Sequence, residues 1–192
     1  MNTVDPGTRP TPWRDLVDAL NTRWHKRALA VYAVVVVGHW AEHIAQAVQI
    51  YALGWPTKQA NGLLGLVWPW LVSSEWMHYG YAVIMMGAFL LLRPGFTGRS
   101  RTWWNIATGI QIWHHFEHLL LLLQALTGSF LLGATVPTSI AQLVFPRVEL
   151  HLFYNTIVTI PMIVAMVLHR HPRADDPVAA CTCAVRRPVP VG

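Results

Sequence analysis

Charge is what this chain has least of. Only 12% of its 192 residues are Asp, Glu, Lys or Arg, against 54% hydrophobic residues. An ordinary soluble domain carries about a quarter charged residues, so the balance argues for one membrane domain rather than a soluble core. Cysteine is almost missing as well. Cys181 and Cys183 are the only two, both near the C-terminus, at a spacing too tight for an easy disulfide. A C-x-C pair can hold soft metals, but here it reads simply as two tail residues. No glycine-rich nucleotide or flavin motif is present. Acidic residues number nine, of which Asp5, Asp15, Asp18, Asp175 and Asp176 lie in the terminal stretches. The remaining four are all the glutamates of the chain: Glu42, Glu75, Glu117 and Glu149.

Long apolar runs are abundant. Residues 28–53, 76–92, 106–132 and 148–168 are each near the about 20 helical residues that cross a hydrocarbon core. The expected fold is an all-α membrane protein with four transmembrane helices. Residues 1–27 read as a cytoplasmic N-terminal tail, 28–169 as the membrane domain and 170–192 as a disordered cytoplasmic tail rich in Pro and Asp. Lys and Arg gather before the first span (Arg9, Arg14, Arg23, Lys26, Arg27), between the second and third (Arg93, Arg99, Arg101) and after the fourth (Arg170, Arg173, Arg186, Arg187). The positive-inside rule then places both termini in the cytoplasm of a bacterial-type inner membrane. The net charge of +5 reports that bias rather than nucleic-acid binding. Residues 57–74 and 133–147 are apolar but broken, and read as interfacial caps on the outer side. Trp55, Trp68, Trp70 and Trp76 suit an outer aromatic belt, with Trp103 and Trp104 as inner anchors.

Polar residues inside the spans repeat. The first span carries His39, Glu42 and His43, followed by Gln49; the third carries His114, His115, Glu117 and His118, followed by Gln124. The second opens with Glu75 and His78, the fourth with Glu149 and His151. The unit is a helical hairpin used twice, with its copies related about an axis along the membrane normal. His39, Glu42 and His43 share one helical face, as do His114, Glu117 and His118, and Glu75 shares a face with His78. Glu149 and His151 do not. Counting about 1.5 Å of rise per residue from the flanking charges brings all these residues to one depth, in the outer half of the bilayer.

Unpaired carboxylates at that depth cost at least about 2.5 kcal/mol each, and among the basic residues only Arg147 comes near. Metal cations are then the expected partner. The predicted ligands are His39, Glu42, His43, Glu75, His78, His114, Glu117, His118, Glu149 and His151, with the glutamates as ligands or bridges. His115, Gln46, Gln111 and Asn155 are expected to support them from behind. Imidazole with carboxylate suits iron first, with zinc or manganese as alternatives, and the repeat predicts two ions.

The boxes His39-x-x-x-His43 and His114-His115-x-x-His118 resemble those of the membrane fatty-acid desaturase and hydroxylase group. That resemblance covers two short motifs and implies a di-iron centre that activates oxygen. Here, however, the double histidine comes first, and glutamates sit inside the boxes. The string from His114 to His118 is also similar to an inverted zinc-protease motif. The leading expectation is a metal-dependent oxidoreductase acting on a small or lipid-soluble substrate, with electrons from a quinol or an electron-transfer protein. Alternatives are a bis-histidine haem carrier, a metal transporter or sensor, and a zinc-dependent membrane hydrolase.

Overall fold

A computed structural model describes residues 11–183; residues 1–10 and 184–192 lie outside it. The described residues are helical, with no strand among them. A short helix, α1 (Pro12–Asn21), precedes α2 (His25–Ala47), which continues as a wider π turn over Val48–Ala52. Two one-turn helices follow, α3 (Leu64–Val67) and α4 (Pro69–Val72), and then the long helices α5 (Glu75–Leu92), α6 (Gly98–Thr127) and α7 (Arg147–Arg170). The connections 53–74 and 128–146 lie at one end of the bundle, called the loop end below. The α5–α6 turn, the start of α2 and the end of α7 lie at the other, the terminal end.

The expected all-α class is therefore met. Two helices, His25–Ala52 and Arg147–Arg170, are long and apolar enough to cross a membrane. In α5 and α6 the same polar residues that make the candidate site lower the mean hydropathy. The third apolar run is displaced from its expected bounds, 106–132. Its helix starts at Gly98, where Thr97 and Ser100 form a reciprocal capping box. It stops at Gly128, whose φ of 68° is the left-handed helix-ending conformation that glycine adopts without a Cβ clash. Hydropathy runs past that stop because Phe130, Leu131 and Leu132 are apolar.

α6 packs between α5 and α7, while α2 leans on α7 and α5. The apolar core lies toward the terminal end and is built around Tyr32, Phe89, Phe96 and Trp104. Trp104 is fully buried, stacks on Phe96 at 4.1 Å between centroids, and donates its indole N–H to the Phe89 carbonyl at 2.8 Å. It is thus a core residue and not an interfacial anchor; its polar edge is satisfied by backbone instead of headgroups. Outward faces remain apolar, with Val31, Val34 and Val37 of α2 and Ile160, Ile163 and Val167 of α7 all exposed.

Both segments expected to be tails contribute contacts. Asn21 is buried at the end of α1, where its amide donates to Leu91 O at 2.7 Å and accepts from Gly95 N at 2.7 Å. At the other terminus residues 171–183 form no helix, yet they return to the bundle. Thr97 donates to Pro177 O at 2.8 Å, and Arg99 pairs with Asp176 at 3.1 Å. The Arg99 guanidinium, hydrogen-bonded to Asp176, holds that carboxyl below its usual range. A composition poor in apolar residues hides such anchoring, which here is polar.

Candidate metal centre

Six histidines from four helices converge near the loop end: His39 and His43 on α2, His78 on α5, His114 and His118 on α6, and His151 on α7. The i, i+4 spacing puts each helix pair on one face, and ring centroids within both pairs stand 4.5 Å apart. His151 is the hub. It lies 4.8 Å from His43, 5.2 Å from His118, 5.7 Å from His114 and 6.2 Å from His78, centroid to centroid.

His114, His118 and His151 are all buried, and each presents a ring nitrogen within 4.8 Å of the others. This trio could hold a metal ion. Two of its nitrogens, Nε2 of His114 and Nε2 of His118, are 3.2 Å apart. Two nitrogens bound to one tetrahedral ion at about 2.0–2.1 Å would be about 3.3 Å apart, so the spacing already fits shared coordination. A cavity of about 10 Å³ opens beside these three rings. That is room for one water-sized occupant.

The second ring nitrogens explain how the rings are held. Nδ1 of His78 donates to Ser74 O at 3.0 Å and Nδ1 of His151 to Arg147 O at 2.7 Å, each one turn back on its own helix. A carbonyl accepts only, so Nδ1 carries the proton and Nε2 keeps its lone pair. His43 makes the corresponding contact with Gln46 Oε1 at 2.8 Å. Nε2 of His43 and Nε2 of His151 are buried with no hydrogen-bond partner among the described residues. Buried polar atoms are rarely left so.

The glutamates are held by protein donors. Glu42 accepts from Leu63 N at 2.8 Å and from Leu64 N at 3.1 Å, at the start of α3. Glu117 accepts from Ala141 N at 2.8 Å, at the start of the 3₁₀ turn Ala141–Leu143. Glu75 forms a two-pronged ion pair with Arg147, 2.7 Å on both prongs, and Glu149 accepts from the Tyr51 hydroxyl. The expected neutralisation by metal cations is therefore corrected for Glu75, whose charge Arg147 neutralises. All four carboxylates, predicted as ligands or bridges, are taken up by protein donors. His151 turns inward while Glu149 turns to Tyr51, as two residues without a shared face must.

Among the predicted supporting residues, Gln46 does hold His43. Gln111 and Asn155 each bury an amide nitrogen with no partner among the described residues, and His115 lies 5.3 Å from the Tyr79 ring rather than in the cluster. Three features had no sequence signal. Tyr81 stacks on His39 at 3.9 Å, Tyr154 lies 4.3 Å from His114, and Trp113 donates to the Tyr154 hydroxyl at 2.8 Å.

The hairpin repeat has a geometric counterpart. Gln49 is hydrogen-bonded to both N and O of Gly62, and Gln124 to both N and O of Thr138, each within the long loop of its own hairpin. Every hairpin thus supplies three histidines, a glutamate and a glutamine that dock its own loop, and a glutamate that reaches the other hairpin. Comparison of the chain with family models, with curated proteins and with solved structures finds no match, so the functional reading rests on this geometry alone.

Proposed function

We propose that the chain crosses the membrane four times, as two repeated hairpins, and uses its six histidines to hold two redox-active metal ions. In this reading it is an oxidoreductase acting on a small or lipid-soluble substrate. The observation that carries it is the six-imidazole cluster, three of whose rings (His43, His78 and His151) are oriented by carbonyls or an amide, with the Nε2 of His43 and of His151 left unpartnered. His114, His118 and His151 take one ion; His39, His43 and His78, their counterparts in the repeat of the first hairpin but less closely grouped, take the other. Six imidazoles exceed the four ligands of a closed tetrahedral zinc site.

Glu42, Glu75 and Glu149 are engaged away from the rings, while Glu117, tied to Ala141 N through one oxygen, lines the cavity beside His114, His118 and His151, so imidazole dominates the donor set. Such a set suits iron, copper or zinc, of which iron and copper are redox-active, and weakens the case for manganese, which prefers oxygen ligands. The glutamates act as positioning residues. Glu42 and Glu117 close the loops over the cluster, and Glu75 and Glu149 lock the hairpins together. A haem would need far more than a cavity of about 10 Å³.

Two features support redox chemistry at this site. Tyr81 and Tyr154 lie against its rings, and Trp113, 46% exposed, continues from Tyr154 to the apolar surface. A groove of about 660 Å³, large enough for a drug-sized molecule, runs between α2 and α7 and reaches Trp40, next to His39. A lipid-soluble electron donor such as a quinol would fit there. The apolar outward faces of α2, α6 and α7 support four spans, with both termini cytoplasmic by the charge bias and the cluster in the outer half.

The test is metal analysis of detergent-purified protein with quinol oxidation under oxygen. About two equivalents of iron or copper, with turnover lost in His118→Ala/His151→Ala, would support the proposal. Zinc alone, or metal content unchanged in that variant, would contradict it.

A further inference from the structure

A second group of metal-ligating side chains sits at the terminal end, away from the six-histidine cluster. His25 opens α2 and His169 closes α7; Cys181 and Cys183 return to them from the chain beyond α7. By a rise of about 1.5 Å per residue, His25 is about 21 Å along α2 from His39. His25, His169 and Cys183 each offer a ligand atom within 4.8 Å of the others. Nε2 of His169 lies 3.1 Å from the Cys181 sulfur, and the Cys183 amide turns back to that sulfur at 3.3 Å.

His25 makes this more than a chance grouping. It is 0% exposed, and neither of its ring nitrogens has a hydrogen-bond partner among the described residues. Its ring is confined from outside the group as well. Phe96 meets it edge-on at 5.3 Å, and Gly95 passes so close that a Cβ there would enter the imidazole. A histidine buried this completely with both nitrogens idle is costly unless something else accepts its lone pair.

We propose that His25, His169, Cys181 and Cys183 form a two-nitrogen, two-sulfur site for a borderline divalent metal ion, zinc by chemical class. His25, His169 and Cys183 are already grouped, and Cys181, beside His169, is the fourth ligand that closes in on binding; by type the four match the closed tetrahedral set of structural zinc sites. The ion would join the start of α2 to the end of α7 and hold residues 171–183 in place. It is chemically distinct from the all-imidazole cluster. The apolar core around Tyr32, Phe89 and Trp104 lies between the two. The proposal does not depend on the redox reading.

The experiment is titration of the reduced, detergent-purified full chain with cobalt(II), a spectroscopic stand-in for zinc. Thiolate-to-cobalt charge-transfer absorption should saturate at one equivalent. It should disappear in Cys181→Ser/Cys183→Ser, fall at least tenfold in affinity in His25→Gln, and persist in His114→Ala/His118→Ala/His151→Ala. No such band in folded, reduced protein would overturn the site, as would a band indifferent to His25→Gln. In case the serine variant does not fold, zinc protection of the wild-type thiols is a second readout. Alkylation of both cysteines should slow at least tenfold with zinc, and an unchanged rate would overturn the site.

Discussion

Glu117 occupies in its hairpin the place that Glu42 occupies in the other: each sits between two cluster histidines on its helix and accepts backbone N–H groups of its own long loop. The partners lie 21 to 24 residues further along the chain. Two carboxylates in equivalent positions with equivalent backbone partners are docking residues for the loops, and this separates them from the histidines they stand beside.

Substitution should make that separation visible. Glu117→Ala leaves the partly buried Ala141 N–H without its acceptor, a loss on the order of 1 kcal/mol. Glu42 is less buried, and Glu42→Ala should cost less. Both variants should exchange amide hydrogens faster in residues 61–66 or 139–143, while metal content stays near wild type. Stoichiometric metal loss in the milder replacement Glu42→Gln would instead make that glutamate a ligand.

The Glu75–Arg147 pair joins the first residue of α5 to the first residue of α7, with side chains 11% and 36% exposed. Breaking a fully buried pair costs about 3–5 kcal/mol; partial exposure screens this one, so Arg147→Met should cost less than that. Glu75→Gln/Arg147→Met should recover part of the loss, because neither charge is then left alone. A double-mutant cycle on unfolding in mixed detergent measures the coupling, and additive losses would show that the pair does not join the hairpins.

Gln46 touches the cluster only through His43, whose Nδ1 is 2.8 Å from its side-chain oxygen. Losing such an orienting partner typically weakens metal binding about 10–100-fold. Gln46→Leu should therefore bind metal at unchanged stoichiometry and lower affinity, measured by competition with a chelator. Unchanged affinity would mean that His43 needs no such support or is not a ligand.

Asp176 gives a pH prediction at the terminal end. Its carboxyl is held below the usual range by Arg99, so its pairing is complete above the ordinary carboxylate pKa. It is lost as pH falls through the depressed folded value. The amide of Arg173, which donates to Asp176 at 2.8 Å, should lose protection only under strong acid. Hydrogen exchange, corrected for the intrinsic rate at each pH, measures this; loss near neutrality would contradict it.

Much of this was legible in the residues themselves. A His-x-x-x-His spacing inside an apolar helix has one geometric consequence, and the repeat of polar residues anticipated the two hairpins and their loops. The fate of the glutamates was not legible, because backbone N–H groups in distant loops leave no trace in residue identity. The same holds for Trp104, whose indole finds a carbonyl on another helix. His25 and His169 stand alone at helix ends, where a single histidine reads as interfacial, and the C-x-C pair lies in a stretch whose composition reads as disordered. Their meeting is a property of topology rather than of any local pattern.

The most direct measurement is the metal-to-protein ratio of purified Cys181→Ser/Cys183→Ser protein, alone and combined with alanine at each histidine trio. About two ions are expected for this parent, and about one after removing either His39, His43 and His78 or His114, His118 and His151. No bound metal in the folded parent, or an unchanged ratio after removing either trio, would contradict it.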